Sequence, residues 1–559
     1  MSFSCIRGRC PLFVIAFAVT CLPSTTQATD PAKLRAPEKR ATTFPRPLSP
    51  ELPYDVDVAA LAQLDRDAQI PEAQRLFDVF AWQAFLALNW PATADGEPDT
   101  TKSLADQVGK RVWMGWRRND TIFLPDGGKP APWNAGKEIS EDQHFLWRFS
   151  KQLDERRSPQ NMLTESVQAF TAPLVDQNGI FVRYESYVNR PQFEYIVDHE
   201  LYNQEGQVDF VATQAQPIQF PANVTGPKPR HGSMGLKLAW KQLGPRDIAE
   251  RFLTIDATVV STSFDKDGKP IRTKSKQKMG LVGMHITALT QSSPNWIWIT
   301  FEHVDNVAAN DLEFGTNLAG KQARVRPNFN NPDTPTKLVN VRPPMNAPPG
   351  AKQFDTWDES KTTNPTQLTR VIPIPPATAA LNREVQQLLR EEKSVLQYYE
   401  LIGAQWPVQP GFPAFGGGGG SAPESIVFKA PGRVVPVYLA NTVMESYFQA
   451  GEQPAGPLEE DDRLPSGFFA DSPREPITPD RTRVFGTESC VGCHFSAGAA
   501  IGFKRDENGA FLRDPQNNKI PIYGKNGNFG QTGSAGYFWQ LQMKARPKTV
   551  ALPKPAPKK

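Results

Sequence analysis

Apolar positions recur at helical spacing in some windows and at strand-like spacing in others, with long polar, proline-rich stretches between them. From Glu72, the residues Leu76, Val79, Phe80, Phe85 and Leu88 mark one helical face, and Pro91 closes it. Residues 103–116 and 140–149 suggest two further helices, whose tryptophans read as core residues or surface anchors. The period then changes. Residues 169–175 and 180–188 flank Asp176-Gln177-Asn178-Gly179, a hairpin signal with Asn-Gly at its turn. Residues 236–243, 252–260, 280–289 and 296–304 read as strands, the last two joined through Ser292-Ser293-Pro294-Asn295. An antiparallel sheet between residues 165 and 305 is therefore expected. Helical spacing returns from Thr378 to about Leu401, through Leu381, Val385, Leu388, Leu389, Val395 and Tyr399. Residues 434–449 read as strand then helix, and 535–545 as helix. The expected class is α+β: mixed helical and antiparallel β upstream, a mainly α C-terminal segment, and many proline-rich loops.

Composition explains the loops. Of 559 residues, 53 are proline, and proline interrupts helices and central strands alike. The chain carries 62 Lys and Arg against 59 Asp and Glu, a near balance that gives no footprint for nucleic acid.

The N-terminus reads as a secretory signal: Arg7 and Arg9, a short apolar stretch at 12–19, and Thr26-Gln27-Ala28 as cleavage site. A lipoprotein attachment at Cys21 fits less well, because Ala18-Val19-Thr20 precede it. No other window has enough consecutive apolar residues to span a bilayer. The expectation is an exported, periplasmic protein, soluble after cleavage. The expected plan is signal peptide 1–28, proline-rich arm 29–70, large α+β region 71–430, a cofactor-binding region 431–545 and a basic disordered tail 546–559. Residues 305–376 return to proline-rich loop.

Export sharpens the cysteine arithmetic. Of the five cysteines, Cys5, Cys10 and Cys21 lie in the signal, and only Cys490 and Cys493 remain. An oxidising compartment recruits cysteines into disulfide frameworks, yet this pair has no other partners. It belongs to the run Cys490-Val491-Gly492-Cys493-His494. C-x-x-C-H is the attachment signature of c-type haem. Two thiols three residues apart on a helical turn reach two vinyl groups on one porphyrin edge. The next residue then turns its imidazole to the iron. His494 is the expected proximal ligand through Nε2, its other nitrogen donating to a backbone carbonyl. A zinc site needs two further ligands. His144, His199, His231, His285 and His303 supply no close pair in sequence. A thioredoxin-like pair needs a βαβ context that the flanks lack.

Residues 484–489 (VFGTES) followed by CVGCH resemble the attachment segment of c-type cytochromes. More loosely, residues 81–91 (AWQAFLALNWP), 296–306 (WIWITFEHVDN) and 399–407 (YELIGAQWP) resemble a group of large bacterial exported proteins with a single C-terminal haem motif. The resemblance implies one covalent haem c, electron transfer and a redox partner protein. The chain departs from small cytochromes c, in which the motif opens the domain and a methionine ligand follows in a loop. Here the motif stands near the C-terminus, and Met543 is the one methionine after it, inside the helical-looking segment. Met543 is a candidate distal ligand, weighed against ordinary helix packing.

His303 is the alternative distal candidate. His285 and His303 lie near each other if their strands pair, with Glu302 and Asp305 beside them; a hydrogen-bonded pair on a sheet face is favoured over a second metal site. His231-Gly232-Ser233-Met234-Gly235 lacks the first glycine of a nucleophile elbow. The run Gly416–Gly420 lacks the Lys-Ser/Thr of a phosphate loop. The basic tail suits an acidic partner or a membrane surface, or is simply solvated. Three functions remain: a monohaem electron-transfer protein, a peroxidase- or oxygenase-like haem enzyme with an open distal position, and a binding module with structural haem. The first is favoured because no haem-independent catalytic motif accompanies the haem. The large upstream region is what it leaves unexplained.

Overall fold

Among the described residues, nine strands between Arg117 and Val435 join in one sheet, seven of them on a continuous path. They are β1 (Arg117–Arg118), β2 (Phe145–Trp147), β3 (Arg183–Val188), β4 (Met234–Gln242), β5 (Thr254–Phe264), β6 (Pro270–Ala288), β7 (Ile297–His303), β10 (Tyr399–Pro407) and β11 (Val434–Val435). Two small hairpins, β8 (Phe314–Thr316) with β9 (Gln322–Arg324) and β12 (Ala500–Phe503) with β13 (Pro521–Tyr523), stand apart. The helices are α1 (Val58–Arg66), α2 (Ile70–Leu88), α3 (Arg190–Asp198), α4 (Gln204–Thr213), α5 (Pro376–Glu391) and α6 (Trp539–Met543). The class is mixed α+β.

This computed structural model describes residues 43–66, 70–135, 145–147, 173–213, 218–309, 312–334, 339–341, 343, 358–361, 364–370, 373–407, 434–435, 439–449, 490, 494, 497–514, 517–524 and 535–548. The signal sequence with Cys21, residues 29–42 of the arm, His144, the glycine run, residues 484–489, Cys493 and the tail from 549 lie outside them. Contacts divide the chain after Thr43, and residues 44–559 group as one unit.

The path runs β1-β3-β4-β6-β7-β10-β11, antiparallel throughout. The first half of β6 leaves this path to pair with β5, on which β2 lies parallel. The sheet thus reaches beyond the expected 165–305 on both sides, through β1, β10 and β11. Both faces of its centre are covered, so the strands read as nearly unbroken apolar runs.

Alternation sorts the side chains. Ile297, Ile299 and Phe301 of β7 face α2 and α5, where Phe85 stacks on Phe301 at 4.1 Å and Phe77 on Trp406 at 4.2 Å. Trp82 donates to Asn382 at 2.9 Å, tying the two helices. Trp298, Thr300 and Glu302 face the other way. There Asn441 donates to Thr300 at 2.8 Å, and the Thr442 backbone donates to Glu302 at 2.6 Å. Gly283 admits this segment, since a Cβ there would stand 2.7 Å from Val443.

Several elements differ from expectation. Residues 103–116 form no α-helix; a 3-10 turn at Val112–Gly115 delivers the chain to β1. Of 140–149, the described part is strand β2. The helix from Thr378 stops at Glu391. Lys393 turns left-handed at φ 56°, Ser394 caps a 3-10 turn, and Tyr399 begins β10. Partnership with β7 outweighs the helical spacing there. Residues 434–449 give only the short β11 and a 3-10 turn at Ser446–Gln449. The arm contains α1, and the loop 305–376 contains the β8–β9 hairpin. Of the expected mainly α segment 431–545, much lies outside the described residues, which hold β11, β12, β13 and the five-residue α6. The first tail residues are docked, because Gln204 donates its backbone N–H to Arg546 at 3.0 Å and Lys548 pairs with Glu200 at 2.9 Å.

Hairpins follow their turn chemistry. Asp176 accepts from the N–H groups of Asn178 and Ile180 at 2.9 and 3.0 Å. Asp265 and Asp506 do the same in their own turns. A carboxylate that holds two turn amides fixes where the strand reverses.

Candidate haem attachment site

The C-terminal segment is built onto the sheet through amide side chains of α4. Gln207 donates to the carbonyls of Leu201 and Leu541, both at 2.9 Å, and accepts from the Ala500 N–H at 2.8 Å. Gln204 donates to Ala545 at 3.1 Å, and Gln542 accepts from the Gly498 N–H at 2.8 Å. Together these hold residues 497–500 and α6 beneath Trp298.

Cys490 and His494 each have helical backbone, four positions apart in the sequence. His494 is half-buried. Its Nδ1 lies 2.9 Å from the Tyr537 carbonyl, which only accepts, so Nδ1 carries the proton and Nε2 holds the lone pair. The ring stands 4.5 Å from Trp298, whose indole donates to Asn295 at 3.0 Å. Trp296, Trp298, Tyr537, Phe538 and Met543 share one apolar cluster with Cys490.

The Cys490 sulfur lies 3.9 Å from the Leu439 carbonyl, so the 439–449 segment packs beside the attachment cysteine. Burial pushes the thiol far above its ordinary range, and Glu445 adds to the rise. The sulfur is therefore a neutral thiol, unlike a reactive thiolate. For Glu445, burial acts upward, but His285 at 3.4 Å, Lys237 and the Asn441 backbone together hold the carboxyl down at about 2.

These residues fit a covalently held haem. Cys490 and His494 stand four positions apart with helical backbone at each, the imidazole has its Nδ1 proton set by a main-chain acceptor, and the wall beside it is aromatic. Among the described residues, no group of three or more His, Cys, Asp or Glu could hold a metal ion.

The structure brings Cys490, His494 and Met543 together but sets His303 apart. β6 and β7 do pair, yet His285 stands opposite Thr300 and Gly283 opposite Glu302. The alternation puts His285 on the face of Trp298 and His303 on the opposite one. His303 stacks on Phe252 at 4.3 Å; its Nδ1 accepts from Asp305 N–H at 3.1 Å, and its Nε2 faces the Arg251 carbonyl at 2.9 Å. Both nitrogens are committed, so His303 is a structural histidine and not an iron ligand. Asp305 pairs with Arg251 at 2.6 Å, and Glu302 with Arg370 at 2.9 Å.

Trp298, Tyr537 and Glu445 were not singled out from sequence as parts of the site. Strand alternation could have signalled Trp298; nothing local marks the carbonyl of Tyr537 or the carboxylate of Glu445. No helix among the described residues is long and apolar enough to cross a membrane. The chain matches no family model, no curated protein and no solved structure.

Proposed function

We propose that the chain is an exported monohaem c-type cytochrome that transfers electrons to or from a redox partner protein in the periplasm. Cys490 and Cys493 would hold a haem c, which when bound would supply a one-electron iron couple, and His494 would offer its Nε2 to the iron. The observation that carries the reading is the hydrogen bond from His494 Nδ1 to the Tyr537 carbonyl, with the partly buried Cys490 thiol four positions away in the motif. That bond orients the imidazole and fixes Nε2 as the nitrogen that would coordinate. Trp298 and Tyr537 pack against it and exclude water from one side. The resemblance of the CVGCH segment to c-type cytochromes points the same way.

The test is the mature protein made in a host that attaches haem c. Haem stain retained on a denaturing gel, and lost in Cys490→Ala with Cys493→Ala, is expected; a wild-type band without haem overturns the reading. The reduced protein should be indifferent to carbon monoxide. Ready binding would favour a haem enzyme.

A further inference from the structure

We propose that His285 supplies the second axial nitrogen to the iron, an assignment that rests on the haem reading above. Five other histidines are present. Of these, His494 is the proximal ligand, and His303 lies across the sheet with both nitrogens bonded. His231 stacks on Tyr54 at 4.1 Å, and His199 lies between Tyr195 and Phe210. His144 lies outside the described residues.

His285 stands on the correct face. It shares a row with Lys237 of β4 and Thr300 of β7, while Thr287, two residues on, pairs with Trp298. His285 and Trp298 are thus diagonal neighbours, with Cβ atoms about 7–8 Å apart by sheet geometry. The His494 ring rests on Trp298. His285 and the indole on which His494 rests therefore lie on the same face of one strand pair.

The Nε2 of His285 is buried and makes no hydrogen bond. Glu445 is its nearest carboxylate, at 3.4 Å, beyond a good bond length. That nitrogen has only the long Glu445 contact, so a neutral His285 keeps a lone pair there that coordination can use. Glu445 belongs to the segment whose Leu439 carbonyl meets the Cys490 sulfur. The Cys490 sulfur and the His285 nitrogen thus face the same stretch of chain. Met543 is buried in α6 within the cluster against which Cys490 also packs, so the test includes it as the competing ligand.

The test uses the haem-loaded mature protein and compares optical and electron paramagnetic resonance spectra. Wild type should be low-spin when ferric and lack a sulfur-to-iron charge-transfer band. His285→Ala should turn high-spin, its ferrous form should bind carbon monoxide, and added imidazole should restore the low-spin spectrum. His285→Met keeps the bulk and offers sulfur, so the charge-transfer band should appear; Met543→Leu should change nothing. A low-spin His285→Ala spectrum identical to wild type, a high-spin wild type, or loss of the low-spin state in Met543→Leu overturns the assignment. Wild type without covalent haem overturns the haem reading itself, which the denaturing gel detects separately.

Discussion

His494 donates its Nδ1 proton to the Tyr537 carbonyl at 2.9 Å, and Tyr537 presents that carbonyl from a left-handed backbone at φ 69°. Gly536 precedes it at φ 58°. Two successive left-handed residues are unfavourable outside glycine, so this turn is held by its surroundings. A Cβ on Gly536 would stand 2.9 Å from the Ile218 carbonyl. Gly536→Ala should lose about 1–3 kcal/mol in denaturant unfolding. It should also shift the haem potential upward, because the proximal imidazole loses its acceptor. Tyr537→Phe keeps the main-chain bond and should leave the potential where it was; an equal shift in both variants would remove the carbonyl from the explanation.

Gln207 is fully buried and bonds to both stretches that follow His494. Gln207→Ala leaves the Leu541 carbonyl and the Ala500 N–H without this partner, a cost of about 2–4 kcal/mol. Amide hydrogen exchange should accelerate in residues 497–503 and 539–545 while the sheet stays protected. Uniform acceleration would mean that the C-terminal segment unfolds only with the whole.

Glu445 carries its negative charge beside His285 and near Cys490. Beside the proposed haem, a carboxylate there would stabilise ferric over ferrous iron. Glu445→Gln should therefore raise the midpoint potential, by roughly 60 mV for a tenfold change in a one-electron equilibrium. Potentiometric titration measures this, and an unchanged midpoint would place Glu445 electrically remote from the iron.

Asp78 accepts from Thr378 at 2.6 Å and Gln74 at 2.7 Å on the far side of the sheet. Burial outweighs these bonds and raises its carboxyl from 3.8 to about 6. Between those values the folded state keeps a proton that the unfolded chain has released. The stability from this group is present below about pH 4 and is lost as pH rises through about 6. In Asp78→Asn that loss disappears, so its stability relative to wild type should rise by up to about 2–3 kcal/mol from acid to neutral pH. Urea melts across the range give the slope; a flat difference would mean that Asp78 titrates alike in both states.

Local chemistry was readable wherever one short stretch sets the outcome. The face of α2, the strands β4 to β7 and the turn at Asp176 follow from period and turn residues. The CVGCH run fixes the spacing of its thiols and imidazole without reference to the rest of the chain. Residues 395–401 were misread because their apolar spacing suits a helix, while the hydrogen bonds that make Tyr399 a strand residue come from His303 on β7.

What sequence could not decide was which distant groups share a face. His285 and His303 differ by an even number of positions within paired strands, yet the register sends them to opposite sides of the sheet. The Tyr537 carbonyl becomes an acceptor only because α4 amides pull the last segment under Trp298. Sequence alone thus determined the CxxCH run and most of the central strands. Tertiary structure decided which side of the sheet each imidazole takes, because side-chain direction in a sheet is set by register, and register is a property of the partner strand.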